Sequence, residues 1–468
     1  MSEFFLYNTA TRSKTPVAGD TISLYTCGPT VYNYAHIGNL RTYVFEDLLK
    51  RSLLLFSSRV QHIMNITDVD DKTIRGAIAK GSSLEEFCAP FLQGFHEDLD
   101  ALAILPADGY PKATEHIPRM IAMIEQLCEK GHAYQGGDGS VYFSISSYKK
   151  YGQLAHLSLS ELKQGASRRL HLDEYDKESV SDFVLWKAYH PKRDGAIFWE
   201  SPFGRGRPGW HIECSAMCLQ HLGDTIDIHC GGVDNIFPHH ENEIAQSECC
   251  TGKLFVRVWC HAAHLIVDGA KMSKSKNNFY TLRDLVAKGY DPLEVRYLLL
   301  HTHYRSPLNF TFEGLDAARS SLERIRDAIY RLEQVEKPGG GNLFADAYCE
   351  RFKSALADDL NISLAFGSLF DLLRAAHLLM DQKILTSQGA QHTLQVLRYM
   401  DRVLGCCFIK EAKVPQNVAD ALACREKARK EKNWEEADRW RDEITSLGYQ
   451  IEDSPSGPRL KKGSALPK

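Results

Sequence analysis

Four side chains that suit a transition metal stand in separate stretches of the sequence: Cys27, Cys214, His239 and Glu243. Sulfur, imidazole nitrogen and carboxylate oxygen are ligands that zinc takes in tetrahedral sites. If the segment around His239 is helical, His239 and Glu243 are four residues apart and project from one face. Each residue alone is also compatible with a buried thiol or a surface carboxylate, and spacing in a sequence does not join such distant ligands. A zinc site is therefore a hypothesis that the fold must test.

A second group of residues with chemical potential follows directly after Cys27. A β-like run from Ile22 to Thr26 is broken by Gly and Pro, and an apolar-periodic segment runs from Leu40 to Leu55. This pattern predicts strand, turn and helix, and the backbone N–H groups that open such a helix attract anions. At the predicted helix start, His36 and Asn39 suit a triphosphate, and Gly38 would let a flat ring or a sugar approach the backbone closely. The alternative is an ordinary turn with a capping histidine.

Two lysines stand on a short polar segment, Lys271-Met272-Ser273-Lys274-Ser275. The segment lies between an apolar run that ends at Val267 and a helix that is predicted to begin near Thr281. Lysines on a loop of small residues could close over a polyphosphate. A solvated basic loop is the alternative interpretation.

These residues need a scaffold, and the pattern around them indicates a parallel sheet. The run from Arg59 to Thr67 predicts a second buried strand, which ends in an acidic cluster that suits a helix N-cap. Strand, helix and strand in this order favour a parallel pair whose carboxyl ends meet. We therefore expect Thr67 to lie near Cys27. A later strand is predicted from Thr225 to His229.

The remaining chain divides by composition. Residues 131–207 contain short β-like pieces and polar loops, which predict an insertion between two halves of a nucleotide-binding fold. Apolar residues at alternating spacings of three and four begin at Leu315 and predict an amphipathic helix that opens a helical bundle. The tail interleaves basic residues, Arg425 and Arg429 among them, with Trp434. Such a run is often a solvated face, and it also suits an RNA backbone and an unstacked base.

Composition limits the function classes. The 468 residues predict several domains, and a formal charge of −4 excludes a uniformly basic nucleic-acid coat. The N-terminus shows no basic leader, and the sequence shows no uninterrupted apolar run that predicts a membrane span. The 13 cysteines are scattered and odd in number, which favours reduced thiols. We expect a cytoplasmic protein with no membrane association.

Taken together, the motifs resemble those of class I aminoacyl-tRNA synthetases. His36-Ile37-Gly38-Asn39 looks like the first signature of that class, and Lys271 to Ser275 is similar, letter for letter, to the second. Within the class, the stretches Cys27 to Thr30, Gly209 to Ser215 and Phe237 to Glu243 resemble the cysteinyl-tRNA synthetase family. Asn39 departs from the histidine that many members carry, although its amide can still donate to phosphate or ribose.

The resemblance covers essentially the whole chain and implies its fold class and domains. It implies an α/β protein with a class I synthetase-type Rossmann domain and an insertion, then an α-helical bundle and a small C-terminal domain. The expected divisions are 1–115 and 208–312 for the two catalytic halves, 116–207 for the insertion, 313–408 for a tRNA-binding bundle and 414–468 for an anticodon-recognition extension.

The resemblance also implies site residues and partners. It assigns one zinc ion to Cys27, Cys214, His239 and Glu243, where the metal would bind the substrate thiolate and supply selectivity over serine. Four further residues would line the cysteine or nucleotide pocket: Thr67, Trp210, His229 and Asp234. The catalytic residues would be His36, Asn39, Lys271 and Lys274. ATP would be bound by His36, Gly38, Asn39 and Lys274, with Mg²⁺ accompanying the nucleotide. The partners would be L-cysteine, ATP and tRNA(Cys), and we expect a monomer.

The implied reaction activates L-cysteine to cysteinyl-adenylate with release of pyrophosphate, and then transfers cysteine to the terminal ribose of tRNA(Cys). One alternative is a related ligase that joins activated cysteine to an amino sugar. The other is a non-catalytic paralogue that binds tRNA or zinc. The long C-terminal region disfavours the first alternative, and the lysines and His36 disfavour the second.

Overall fold

The structure, a computed structural model, describes residues 3–157, 182–272, 278–339, 344–406, 415–454 and 457–462. The first part of the chain forms a hairpin followed by the predicted strand, helix and strand. Its elements are β1 (Phe4–Asn8), β2 (Ser13–Val17), β3 (Thr21–Thr26), α1 (Ile37–Leu53), β4 (Arg59–Met64), α2 (Asp71–Lys80) and α3 (Leu84–Ala101). Leu40, Val44 and Leu48 lie four residues apart on α1 and are all buried. Asp70, from the acidic cluster, caps α2 as expected.

The segment between the two halves has a sheet of its own. Its elements are α4 (Ile117–Glu129), β5 (Ala133–Gln135), β6 (Val141–Phe143), β7 (Phe183–Ala188), α5 (Pro191–Asp194) and β8 (Gly206–Pro208). The four strands are antiparallel, in the order β5-β6-β7-β8. The stretch 158–181 of the predicted insertion lies outside the described residues, and the division at 116–207 stays a prediction.

The second half repeats the alternation of strand and helix. Its elements are α6 (Trp210–Leu222), β9 (Ile226–Gly232), α7 (Glu241–Thr251), β10 (Val256–Ala262), β11 (Leu265–Val267), β12 (Ala270–Lys271), α8 (Leu282–Ala287), α9 (Pro292–His301) and β13 (Leu308–Phe310). The expected strand near Thr225 is present as β9. Helix α8 begins where the sequence predicts it, because the Thr281 hydroxyl accepts a hydrogen bond from the Asp284 N–H group.

A four-stranded parallel sheet joins the two halves in the order β10-β9-β3-β4. Alternate side chains of its strands point to opposite faces. Leu24 and Ile228 pack in one core with α1, whereas Tyr25 and Ile63 pack in a second core with α6 and α7. Both faces are thus covered, as in other parallel sheets.

The helical bundle consists of α10 (Phe312–Glu333), α11 (Ala345–Ala357), α12 (Ile362–Asp381) and α13 (Ser387–Leu404). The apolar positions that were predicted for the first helix are all buried: Leu315, Ala318, Leu322, Ile325, Ile329 and Leu332. The buried side chain of Arg296 ties the bundle to the catalytic part. Arg296 of α9 contacts Asp47 of α1 at 2.5 Å and donates to the Leu404 carbonyl at the end of α13.

Helix α12 is long and apolar enough to span a bilayer by length and composition, although Asp371 and Arg374 interrupt its apolar run. Its apolar character has another physical cause, since Ile362, Phe366, Leu369 and Leu373 lie in the bundle core. A core helix passes the same compositional test as a membrane span.

The C-terminal unit contains α14 (Gln416–Lys430), α15 (Trp434–Ser446), β14 (Tyr449–Ser454) and β15 (Gly457–Lys462). Arg425 is 2% exposed and forms an ion pair with Asp453, which Arg429 also contacts. The buried Arg425 therefore stabilises the unit and does not lie on an open basic face, whereas the side chain of Arg429 is 35% exposed. Contact of the tail with RNA stays a prediction. Trp434 is 60% exposed and stays available for a partner.

Candidate active site

The centre of the parallel sheet contains the point where the strand order reverses. Strand β4 lies on one side of β3, and β9 and β10 lie on the other. Ligands of open α/β sheets bind beyond the carboxyl ends of strands at such a point. Cys27 follows β3 directly, and its N–H donates to the Cys230 carbonyl of β9 at 3.3 Å. Thr67 lies at the same edge, because its N–H donates to the Pro29 carbonyl at 3.0 Å.

The structure brings the four predicted metal ligands together. The ligand atoms of Cys27, Cys214, His239 and Glu243 all lie within 4.8 Å of one another. Cys27 comes from the loop after β3, Cys214 from the first turns of α6, and Glu243 from the start of α7. Cys214, His239 and Glu243 are buried, whereas Cys27 is partly exposed. The group therefore opens to the crevice on the side of Cys27.

The charges of the group fit a soft divalent cation. Burial would raise the pKa of Glu243, but His229 and His239 more than offset it and lower that pKa to about 2. Burial likewise opposes the charged form of His239, yet Glu243 and Cys214 raise its pKa to about 10. A hydrogen bond between the two thiols raises the pKa of Cys27 and lowers that of Cys214 to about 6. The thiol pair thus readily loses one proton.

The geometry of Glu243 is also that of a ligand. Its Oε1 atom is buried and lies 3.0 Å from His239 Nε2. Two sulfurs, one nitrogen and one oxygen form a donor set that zinc accepts.

Histidines that the sequence did not single out surround this group. His211 Nδ1 lies 2.9 Å from His239 Nδ1, and both rings are buried. His240 Nε2 lies 3.3 Å from Cys27 Sγ, and its Nδ1 lies 2.8 Å from His261 Nε2. Side chains that hold metal ligands in this way fix their orientation and tautomer. His211 and His240 belong to the motifs quoted above, but the sequence does not predict which side chains they contact.

The expected pocket residues occupy different depths. His229 is fully buried, with Nε2 3.1 Å from Glu243 Oε2, and its ring stacks on Trp259 at 4.6 Å. Trp210 begins α6 and stacks on His239, with ring centroids 4.1 Å apart. Asp234 is exposed in the turn after β9. His229 therefore lies behind Glu243, while Trp210 covers His239 at the crevice.

The start of α1 has a reciprocal cap. His36 Nδ1 accepts from the Asn39 N–H at 3.2 Å, and Asn39 Oδ1 accepts from the His36 N–H at 3.2 Å. The cap uses the oxygen of the Asn39 amide as an acceptor, and Asn39 is exposed. Gly38 is required beside this cap, since a Cβ there would lie 2.9 Å from His36 Cε1.

The segment around the second signature lies beside this cap. The Ile37 N–H donates to the Tyr280 carbonyl at 2.9 Å, and the ring of Phe279 meets His36 edge-on at 5.2 Å. Lys271 ends β12 with an exposed side chain. Lys274 lies outside the described residues, so its predicted role stays a prediction. The flanks of the two signatures are thus adjacent.

Solved structures with this architecture define its class. Methionyl-tRNA synthetase of Mycobacterium tuberculosis, solved with methionyl-adenylate, superposes with a TM-score of 0.62 at 16% identity. The alignment covers 83% of this chain and 92% of that one. A leucyl-tRNA synthetase of Agrobacterium radiobacter superposes with a TM-score of 0.59 at 12% identity, over 84% of each chain. The fold is that of the class I aminoacyl-tRNA synthetases.

Sequence comparisons identify the family within the class. Residues 13–320 match the profile of the tRNA synthetases class I (C) catalytic domain, 351–408 match a DALR domain, and 411–457 match the cysteinyl-tRNA ligase anticodon binding domain. Cysteine–tRNA ligases of Protochlamydia amoebophila and Chlamydia muridarum are 54% and 56% identical to this chain. Each alignment covers 98% of this chain, with 97% and 100% of the respective relative. The chain belongs to the cysteine–tRNA ligase family.

Proposed function

We propose that this chain activates L-cysteine with ATP and transfers it to the 3′-terminal ribose of tRNA(Cys). One observation carries the proposal: two thiols, an imidazole and a carboxylate converge within 4.8 Å in the crevice, near the helix start that would receive ATP. A site that must separate cysteine from serine needs a group that distinguishes sulfur from oxygen, because shape alone discriminates weakly.

We propose that Cys27, Cys214, His239 and Glu243 hold one zinc ion per chain. Zinc held there would bind the thiolate of cysteine and disfavour the neutral hydroxyl of serine. His211 and His240 would orient His239 and Cys27. The partial exposure of Cys27 supports this assignment, since the substrate must approach from the crevice.

In the first step the cysteine carboxylate attacks the α-phosphate of ATP in line, and pyrophosphate leaves with Mg²⁺ as its usual companion. His36, Asn39 and the backbone at Gly38 would contact the phosphates at the start of α1. Lys271 would approach from the end of β12, and Lys274 from the segment that follows. These groups stabilise the negative charge that spreads over the transferred phosphate.

The substrate would lie between the metal ligands and the nucleotide. Thr67 and Trp210 are suitable contacts because they border the crevice, while His229 would act through Glu243. Asp234, exposed beyond β9, is suited to the ammonium group of cysteine or to the nucleotide. The second step is attack by the terminal ribose hydroxyl of tRNA on the adenylate carbonyl, which releases AMP.

The other parts of the chain would recognise the tRNA. We propose that the bundle within 313–408 binds its body and that the unit within 414–468 reads its anticodon, with Trp434 as a surface on which a base can stack. We also propose that the catalytic domain consists of two halves, 1–115 and 208–312, separated by the insertion 116–207. A cytoplasmic monomer that is not associated with a membrane is the proposed state.

The test is aminoacylation of total tRNA with ATP and labelled cysteine, with an amino sugar as the competing acceptor. Charging of tRNA that is lost on chelation and restored by zinc is the expected result. Cysteine-dependent pyrophosphate exchange without charging, accompanied by labelled amino sugar, would contradict the assigned acceptor and favour the related ligase. No exchange with any amino acid would contradict the enzyme assignment.

A further inference from the structure

The side chain of Arg283, in the first turn of α8, joins three elements beside the nucleotide side of the crevice. Its Nη1 atom donates to Asp98 Oδ1 at 2.6 Å, and its Nη2 donates to Glu97 Oε2 at 2.7 Å, both on α3. Its guanidinium carbon lies 4.5 Å from the ring centroid of Tyr34, in the loop that leads to His36. Arg283 thus contacts α3 and the start of the first signature at once.

The surroundings of Arg283 are shaped for it. The side chain of Asp98 is 4% exposed, and burial raises its pKa to about 6 against the attraction of Arg283. Gly94 of α3 leaves the necessary space, because a Cβ there would lie 2.6 Å from Tyr34 Cε1 and 3.0 Å from Arg283 Nη2. The Gly94 carbonyl also accepts from Nη2 at 3.3 Å. A buried acid and a helical glycine distinguish this contact from an ordinary surface ion pair.

The residues just before Arg283 touch the first signature. Thr281, the N-cap of α8, forms a bridge with His36, and the Tyr280 carbonyl accepts from the Ile37 N–H. Phe279 meets the ring of His36. The position of α8 therefore determines how this stretch packs on the reciprocal cap at His36.

We propose that Arg283 is a positioning residue for the ATP step, which fixes residues 279–281 against His36 by binding α3 and Tyr34. The inference rests on the proposed function, because it concerns the same nucleotide site. A planar guanidinium can hold two carboxylates and a ring at fixed angles, which an ammonium group cannot do. Errors of about 1 Å in such positioning can cost up to about 100-fold in rate.

The test measures cysteine-dependent ATP–pyrophosphate exchange in the full chain with Arg283→Gln and Arg283→Lys. For Arg283→Gln we expect kcat to fall by at least about tenfold and KM for ATP to rise. KM for cysteine should stay within about twofold and zinc content should not change, since Arg283 contacts none of the metal ligands. Arg283→Lys should recover part of the loss, because it retains charge without the planar contacts.

Arg319→Gln is a matched control. Arg319 also pairs with a carboxylate, Glu294 at 2.9 Å, and also stacks on a tyrosine, Tyr290 at 4.7 Å. Its side chain is 28% exposed, against 35% for Arg283. Loss of an ion pair and a ring contact should therefore reduce the stability of the two variants equally. The kinetics of ATP–pyrophosphate exchange should change in Arg283→Gln and stay unchanged in Arg319→Gln.

A double variant tests the route of the effect. If Arg283 acts through α3, Asp98→Asn should reduce exchange, and Arg283→Gln with Asp98→Asn should be about as slow as Arg283→Gln alone. Exchange by Arg283→Gln equal to that of Arg319→Gln, or equal losses in the ATP, cysteine and zinc parameters, would overturn the inference while leaving the proposed function intact. A wild-type chain without cysteine-dependent exchange would refute the proposed function and this inference with it.

Discussion

His211 and His239 meet through their Nδ1 atoms, 2.9 Å apart, with both rings buried. Despite burial, Glu243 and Cys214 raise the pKa of His239, whereas burial lowers the pKa of His211, so a protonated His239 donates from Nδ1 to a neutral His211 when no metal is bound. His239 must offer the lone pair of its Nε2 atom to bind a metal, which leaves the proton on its Nδ1. His211 is then the acceptor, and it fixes the tautomer that the metal needs.

His211→Phe removes that acceptor while it keeps a ring in the cavity. We expect zinc affinity to fall by about 10–100-fold, as for other groups that orient metal ligands. Competition with a chromophoric chelator measures the affinity directly. His116→Phe is the control, because His116 also meets a second histidine, His221 at 2.9 Å, at another place in the fold. Equal zinc affinity in the two variants would contradict the orienting role.

Cys214→Ser should abolish stoichiometric zinc binding and reduce selectivity for cysteine over serine, because a neutral hydroxyl is a poor ligand. The measurements are metal content by mass spectrometry and exchange with each amino acid. Cys218→Ser is the control, since Cys218 is fully buried one turn further along α6 and lies outside the ligand group. Retention of full zinc in Cys214→Ser would refute the ligand assignment.

Glu46 should make stability depend on pH. It is 1% exposed, and neither carboxylate oxygen has a hydrogen-bond partner among the described residues. Burial raises the pKa of Glu46 well above its usual value, so the native state retains a proton that the unfolded state has lost. Protonated Glu46 makes its full contribution to the free energy of unfolding below the pKa that it has in the unfolded state. That contribution is lost as the pH rises towards the higher pKa of the native state.

Glu46→Gln removes this titration. The unfolding midpoint of Glu46→Gln should therefore rise relative to that of the wild type as the pH is raised from about 5 to 8. Denaturant titrations at several pH values measure it, with the exposed Glu125→Gln as control. A difference that does not change with pH would show that Glu46 is ionised in the native state.

The buried pair of Asp47 and Arg296 should be costly to break. Both side chains are 0% exposed, and Asp47→Ala would leave the guanidinium without a counter-charge. We expect a loss of about 3–5 kcal/mol, whereas Asp47→Leu with Arg296→Met should recover much of it. Lys253→Ala is the contrast, because its pair with Asp224 is exposed and should contribute less than about 1 kcal/mol. Equal losses for the two pairs, measured by denaturation, would contradict this account.

Lys274→Ala tests a role that rests on the sequence motif. We expect it to depress adenylate formation more than cysteine binding, because a lysine that stabilises the transferred phosphate acts mainly in the transition state. Pyrophosphate exchange and equilibrium binding of cysteine separate the two effects. An unchanged exchange rate would remove Lys274 from the mechanism, and Lys253→Ala provides the background for loss of a surface charge.

Local sequence patterns predicted the strands, turns and helices of the site, but not the contacts between them. The turn after β3, the cap at His36 and the helix after Thr281 follow from short-range signals, because capping and periodicity act within a few residues. The contact of His240 with Cys27 depends on strand order, which no local signal encodes. The ion pair of Arg425 with Asp453 could not be predicted for the same reason. The local sequence around a basic residue in a helix does not show whether its side chain faces solvent or an acidic residue from a distant part of the chain.

The adjacency of β3 and β9 has a consequence for how the protein would acquire the proposed zinc ion. Cys27 and His240 are 213 positions apart in the chain, yet they touch because these two strands pair. The binding site therefore comes into being late, after the entire intervening segment has been synthesised and the two strand pairs have joined. Zinc would therefore bind only after folding is complete, and a ribosome-bound N-terminal fragment would hold Cys27 without any of its partners.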